Sequence, residues 1–236
     1  MQVKFTKYDP AVDAAPHLVA IEVPYKTKKQ TVLETIQFAH EISPVHFDYS
    51  CHGRRCGRCA VMLDGEPVLA CVKVLTDGPH TIEPLPGLPI LRDLIVDKTA
   101  AQDDLTRRYL RVRAQPLTAA ERNAWPKEGT TPKVLDLEWC ARCLVCTSAC
   151  PVHQQSPAEY IGPAAMLAVA YRNYDPYDQG SRPAEAVQGG LWNCIMCGRC
   201  DDVCPQKEIH RVSQIWPDLR AAATAAGFPE PTKPSK

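Results

Sequence analysis

Twelve cysteines in three sets of four constrain this 236-residue chain more than any other feature. The sets are Cys51, Cys56, Cys59 and Cys71; Cys140, Cys143, Cys146 and Cys150; and Cys194, Cys197, Cys200 and Cys204. Any fold of this chain must bring those sulfurs into groups. Disulfide scaffolds do this, but they are usually short and secreted. Here the chain is long, and its start, Met1–Pro10, has neither the apolar core of a signal peptide nor a twin arginine. Zinc knuckles also pair Cys-x2-Cys units around a tetrahedral ion. They seldom run four cysteines at gaps of two, two and three residues followed by proline, as the second and third sets do.

The first set has the order Cys51-x4-Cys56-x2-Cys59, with Cys71 further on. That is the spacing of plant-type [2Fe–2S] sites. Two irons need four thiolates; three come from one tight loop and the fourth from a neighbouring element. The loop is Ser50-Cys-His-Gly-Arg-Arg-Cys-Gly-Arg-Cys59. Gly53 and Gly57 are expected to take positive φ there and turn amides toward sulfur. Arg54, Arg55 and Arg58 set positive charge beside a net-negative cluster, as a solvated rim or as a potential-tuning or docking surface. His52 resembles a Rieske ligand only in type, because four cysteines already complete the site.

The other sets are near copies: Cys140-Ala-Arg-Cys-Leu-Val-Cys-Thr-Ser-Ala-Cys-Pro151 and Cys194-Ile-Met-Cys-Gly-Arg-Cys-Asp-Asp-Val-Cys-Pro205. Both match the bacterial run C-x2-C-x2-C-x3-C-P, in which the fourth cysteine serves the other cluster of the pair. One [4Fe–4S] is therefore assigned to Cys140, Cys143, Cys146 and Cys204. A second [4Fe–4S] is assigned to Cys150, Cys194, Cys197 and Cys200. The proline after each fourth cysteine is expected to end the run and let a helix begin.

Between these runs the pattern predicts an α+β chain. An N-terminal β-grasp, plant-type ferredoxin domain over 1–104 precedes an α-helical, bacterial-ferredoxin-like domain over 105–236. Val3–Lys7 and Leu18–Val23 alternate as strands. Thr31–Glu41 has helical periodicity, with Val32, Leu33, Ile36 and Phe38 or Ala39 as its apolar side. Ala60–Leu63 and Pro67–Ala70 flank Asp64-Gly65, a strong hairpin signal that would return Cys71 beneath the loop. Thr81–Leu85 adds a closing strand. Gly87–Lys98 links the halves, with Leu91, Leu94, Ile95 and Val96 as packing residues. Leu105–Ala114 and Leu117–Trp125 are expected helices. Ala158–Tyr171 is another, burying Ile161, Ala165, Met166, Ala168 and Val169.

Formal net charge is zero, and no basic stripe suggests a nucleic-acid partner. The apolar stretch at Ala164–Tyr171 is far short of the ~18 residues that cross a bilayer, so a soluble, cytoplasmic chain is expected. No Gly-rich nucleotide fingerprint, phosphate loop or Ser-His-Asp set stands out. No carboxylate pair with an acid/base role does either. No catalytic residue is assigned: the chain is expected to carry electrons and leave bond chemistry to a partner.

The order of a plant-type site followed by paired bacterial runs resembles the iron–sulfur subunit of succinate dehydrogenase and fumarate reductase. Further segments agree: Lys7-Tyr-Asp-Pro10, Glu22-Val-Pro24, Thr31-Val-Leu33, Cys59-Ala-Val-Met62, Leu69-Ala-Cys71 and Leu91-Arg-Asp-Leu-Ile-Val-Asp97. The resemblance runs to about Pro205. It implies a partner subunit holding FAD and interconverting succinate and fumarate. Electrons would pass from FAD through the [2Fe–2S] and first [4Fe–4S] to a distal cluster. A membrane-anchor or cysteine-rich redox subunit would take them on, with an indirect link to the quinone pool. Such a chain would sit at the cytoplasmic face of the inner membrane through its partners. The same module also serves other flavin-dependent dehydrogenases and reductases, which is the alternative reading.

Two departures matter. Most members of that family hold a distal [3Fe–4S], because a residue other than cysteine stands where Cys197 stands here. The fourth ligand predicts [4Fe–4S], with [3Fe–4S] the alternative, and a more reducing centre. The family's quinone-pocket tryptophans and histidine are replaced by Val152-His153-Gln154-Gln155 and Ile195. Both departures resemble non-classical relatives whose electron partner is a cysteine-rich subunit. His153 is expected to be an ordinary loop histidine, with an altered acceptor site as the other reading.

Overall fold

The structure is a computed structural model that describes residues 1–128 and 132–232. Strands β1 (Gln2–Lys7) and β2 (His17–Glu22) come first, followed by helix α1 (Val32–Ile42). Then come β3 (Ala60–Leu63), β4 (Glu66–Leu69) and β5 (His80–Glu83). The five strands form one sheet in the order β2-β1-β5-β3-β4. Only β1 and β5 pair in parallel. Alternation explains the strands: Val3 and Phe5 are fully buried while Gln2 and Lys4 face outward.

Helix α1 starts at a capping box, in which Thr31 accepts from the Glu34 amide and Glu34 accepts from the Thr31 amide. Its buried side is Val32, Leu33, Thr35, Ile36 and Ala39. Ala39 takes the inward position; Phe38 is half-exposed beneath the Lys26 ammonium, 4.1 Å from its ring centre. The expected hairpin joins β3 to β4, with Asp64 and Gly65 both at positive φ. Asp64 also accepts from the Thr81 amide at 2.7 Å, tying the turn to β5.

The linking segment forms its own hairpin, β6 (Ile90–Arg92) and β7 (Ile95–Val96). Leu94 and Val96 are buried, but Leu91 is 50 % exposed and does not join the core. Asp93 anchors this hairpin. It accepts from the amides of Tyr8 and His46 and from the side chains of Lys7 and His46. Burial alone would raise its pKa, yet those donors outweigh burial and hold it below the usual carboxylate value.

Helices follow: α2 (Thr99–Tyr109), α3 (Ala119–Glu128), α4 (Pro132–Glu138), α5 (Val145–Ser148) and α6 (Pro151–Gln155). Then come α7 (Pro163–Asn173), α8 (Arg182–Gln188), α9 (Arg199–Asp202) and α10 (Ile215–Ala225). The expected Leu105–Ala114 helix is displaced toward the N-terminus. Beyond Tyr109 the backbone is drawn off by another segment: the Val112 amide donates to Asp178, and its carbonyl accepts from Gln179. The Ala158–Tyr171 expectation starts too early, because Gly162 at φ +86 turns the chain and Pro163 opens α7. Every residue from Pro163 to Ala170 is buried, so α7 is a core helix rather than a one-sided one. Ile161 lies before it and is half-buried.

Contacts divide the chain into two compact units. The first is Met1–Ala100 together with Cys140–Ala149 and Val203–Pro205; the second is the other described residues. The N-terminal stretch of the first unit ends at Ala100. The two short cysteine segments are remote in sequence and still pack with the N-terminal sheet, where α5 meets β4.

Candidate functional site

All twelve cysteines are free thiols. In the first loop, Cys51 Sγ accepts from the amides of Gly53 (3.4 Å), Arg55 (3.3 Å) and Cys56 (3.3 Å). Those donors, Gly53 first, bring its pKa down to about 7. Cys59 and Cys71 are hydrogen-bonded to each other, which raises the Cys59 pKa and lowers that of Cys71 to about 6. The Arg54 amide also donates to Cys71. The β3–β4 hairpin therefore brings Cys71 back to the loop. Gly53 does not take the left-handed conformation expected of it. His52 and Arg54, both at φ 50, turn the loop instead, and Gly57 turns it at φ 67. The His52 ring packs edge-on to Tyr49 at 5.1 Å, a structural role. Arg58 holds Asp48 through two contacts of 2.9 Å, and Arg54 reaches the Pro205 carbonyl at 3.3 Å.

The two bacterial-type runs repeat one backbone shape. The residues flanking the second cysteine take positive φ in each: Arg142 (52) and Leu144 (68), then Met196 (57) and Gly198 (75). Such φ values are strained for all but glycine, costing about 1–3 kcal/mol each. The fold keeps them because they turn amides toward sulfur. The Val145 amide donates to Cys143, the Met196 amide to Cys194, and the Val152 and His153 amides to Cys150. Pro151 opens α6 as expected. Pro205 opens no helix; it leads into a turn, and the next regular helix is α10.

The thiols of the two runs influence one another. Burial raises Cys143 to about 12, and it feels the charges of Cys140 and Cys204. Cys146 lies on α5 in the same compact unit. Cys150 faces Cys194 and Cys197, and burial raises it. Cys200, raised to about 12 by burial, also feels Cys194 and Cys197. Cys150, Cys194, Cys197 and Cys200 line one small cavity closed by Tyr160, Pro163 and Trp216. Cys197 is the exposed member, and it follows Ile195 (65 % exposed) and Met196 (44 %) in the chain. Two further residues serve this cavity. Arg220 donates to the Cys194 carbonyl at 2.7 Å and lies 5.3 Å over the Trp192 ring. The buried Tyr160 hydroxyl faces the Cys194 thiol. Neither carries a sequence signal. His153 lies on helix α6 rather than in a loop, and its ring nitrogen bonds the Tyr160 carbonyl at 2.7 Å.

These donors suit iron–sulfur clusters. Four thiols line one cavity, backbone amides donate to Cys51, Cys71, Cys143, Cys150 and Cys194, and buried thiols held protonated would lose their protons to a bound metal. Among the described residues no three His, Cys, Asp or Glu side chains converge on a single-ion site. None of the described helices is long and apolar enough to cross a membrane.

Comparison with known proteins finds iron–sulfur families over both parts of the chain. Residues 2–103 match the "2Fe-2S iron-sulfur cluster binding domain" family and 136–208 the "4Fe-4S dicluster domain" family. The chain is 35 % identical over 231 residues to a fumarate reductase (CoM/CoB) subunit of Methanothermobacter marburgensis, covering 96 % of this chain but 45 % of that protein. It thus spans about half the length of that relative. It is 32 % identical over 215 residues to the fumarate reductase iron-sulfur subunit of Mycobacterium tuberculosis, covering 86 % of this chain and 85 % of that one. A chain of the Mycobacterium smegmatis Sdh1 complex in the apo form shares its fold, with a TM-score of 0.82, 18 % identity and 96 % of each chain covered.

Proposed function

We propose an electron-relay role for this chain, which belongs to the iron–sulfur subunit family of fumarate reductases and succinate dehydrogenases. In this reading it holds one [2Fe–2S] on Cys51, Cys56, Cys59 and Cys71. It holds one [4Fe–4S] on Cys140, Cys143, Cys146 and Cys204, and a second on Cys150, Cys194, Cys197 and Cys200. When bound, the clusters supply one-electron chemistry. The chain's residues hold and tune them: loop amides donate to sulfur, and buried walls exclude water. The five-stranded sheet with α1 is read as a β-grasp and the helical part as a two-cluster ferredoxin module, over the domains 1–104 and 105–236.

The observation that carries the distal assignment is the shared cavity of Cys150, Cys194, Cys197 and Cys200. Four thiols there favour [4Fe–4S] over [3Fe–4S]. The partner on one side would be an FAD flavoprotein acting on succinate and fumarate. On the other side, Ile195 and Val152–Gln155 stand where the quinone-pocket residues of common members stand. That favours a cysteine-rich redox subunit over direct quinone contact. We place the chain at the cytoplasmic face of the inner membrane, held there by partners. The test is to purify the complex with its flavoprotein and assay succinate oxidation and fumarate reduction with artificial dyes. Either activity supports the assignment; loss of both overturns it, and the co-purified flavoprotein then names the other substrate.

A further inference from the structure

Lys98 follows directly on the β6–β7 hairpin that Asp93 anchors. Its ammonium donates to the Arg58 carbonyl at 3.0 Å and lies 3.4 Å from the Gly57 carbonyl. Both carbonyls belong to the plant-type loop, between Cys56 and Cys59. Burial pulls the Lys98 pKa below its usual value; the charges that oppose this are Cys143, then Asp48, then Cys59, while Arg58 repels. One cation therefore faces ligands of two different cysteine sets.

Gly57 shows how close those sets come. It lies at φ +67, and a Cβ there would stand 2.4 Å from the Ala141 carbonyl oxygen and 2.8 Å from Cys143 Cα. Backbone meets backbone, with no room for a side chain on Gly57. Lys98, Gly57 and Cys143 all lie in one compact unit. A charge at this junction acts on both sites through little solvent, where screening is weak.

We propose that Lys98 is a positioning residue, a shared counter-charge for the [2Fe–2S] and for the cluster of Cys140, Cys143, Cys146 and Cys204. This rests on the cluster assignment above. Each site gains negative charge on reduction, so a nearby fixed cation favours the reduced form of both. Because the cation raises both potentials together, it makes the pair easier to reduce without tilting the step between them.

The test is an EPR-monitored redox titration of the complex, unsubstituted and with Lys98→Met, Lys98→Gln or Lys98→Arg. Either neutral variant should make both clusters harder to reduce, by about tenfold in the reduction equilibrium, or ~59 mV for one electron. The cluster of Cys150, Cys194, Cys197 and Cys200 should not move, and Lys98→Arg should stay near the parent. A shift in only one of the two clusters, in neither, or equally in Lys98→Arg overturns the proposal. Absence of either signal in the unsubstituted complex overturns the cluster assignment itself, and is seen before any variant is made.

Discussion

The two four-cysteine sites of the second half have almost the same sequence and backbone but different surroundings. The site of Cys140, Cys143, Cys146 and Cys204 is built from two short segments inserted into the N-terminal unit. It touches the plant-type loop at Gly57 and shares the Lys98 ammonium with it. The site of Cys150, Cys194, Cys197 and Cys200 lies in the helical unit, walled by Tyr160 and Trp216, with exposed Ile195, Met196 and Cys197 at its edge. One motif, used twice, meets the plant-type loop in one place and an open edge in the other; in the proposed relay these are the internal and the terminal site. The surroundings, more than the ligand spacing, decide what each can do.

The largest effect should come from removing the exposed ligand. Cys197→Ser is expected to convert or damage only the terminal cluster, leaving the [2Fe–2S] EPR signal at full intensity. Loss of the [2Fe–2S] signal instead would break the ligand assignment.

Next comes the frame of the internal site. Asp93→Ala leaves Lys7 and the His46 and Tyr8 amides without their buried acceptor, and should cost about 3 kcal/mol in denaturant unfolding. The pH sign follows from its lowered pKa. Asp93 adds stability in full above its unfolded value near pH ~3.9. That stability is lost as pH falls through the lower folded value. Asp93→Asn should therefore flatten the acid limb of the stability curve; an unchanged limb would contradict the anchor role.

Gly57→Ala tests the contact between loop and run. The new Cβ meets backbone on an unfavourable φ, so a cost of about 1–3 kcal/mol is expected. Weakened magnetic coupling between the [2Fe–2S] and its neighbour should accompany it. A variant as stable as the parent would contradict the close approach. The smallest effect is assigned to Arg220→Gln, which removes the charge beside Cys194. It should lower only the terminal cluster's potential, by tenfold or less in the reduction equilibrium (up to ~59 mV). Movement of the internal cluster instead would contradict the placement of Arg220 beside Cys194.

The iron–sulfur family was legible in the sequence, because the cysteine spacing carries its motifs. The sheet was legible too: Asp64-Gly65 sets the hairpin, and alternation marks β1 and β2. What was not legible depends on tertiary contact. Left-handed Leu144 is an unlikely choice by local preference, and only the second run, with Gly198, hints at the turn. His52 and Arg54 take the bend expected of Gly53, since the loop wraps sulfur that arrives from elsewhere. Leu110–Ala114 has helical character but pairs with Asp178 and Gln179 instead. Lys98 and Arg220 carry no motif; their roles come from what the fold sets beside them.

The most direct measurement is low-temperature EPR of the anaerobically purified protein, as isolated and after dithionite, with iron and sulfide counted alongside. The account predicts a reduced [2Fe–2S] signal, interacting signals from two [4Fe–4S] clusters, and no substantial oxidised [3Fe–4S] signal. A strong oxidised [3Fe–4S] signal, with iron to match, would contradict Cys197 as the fourth ligand of the terminal cluster.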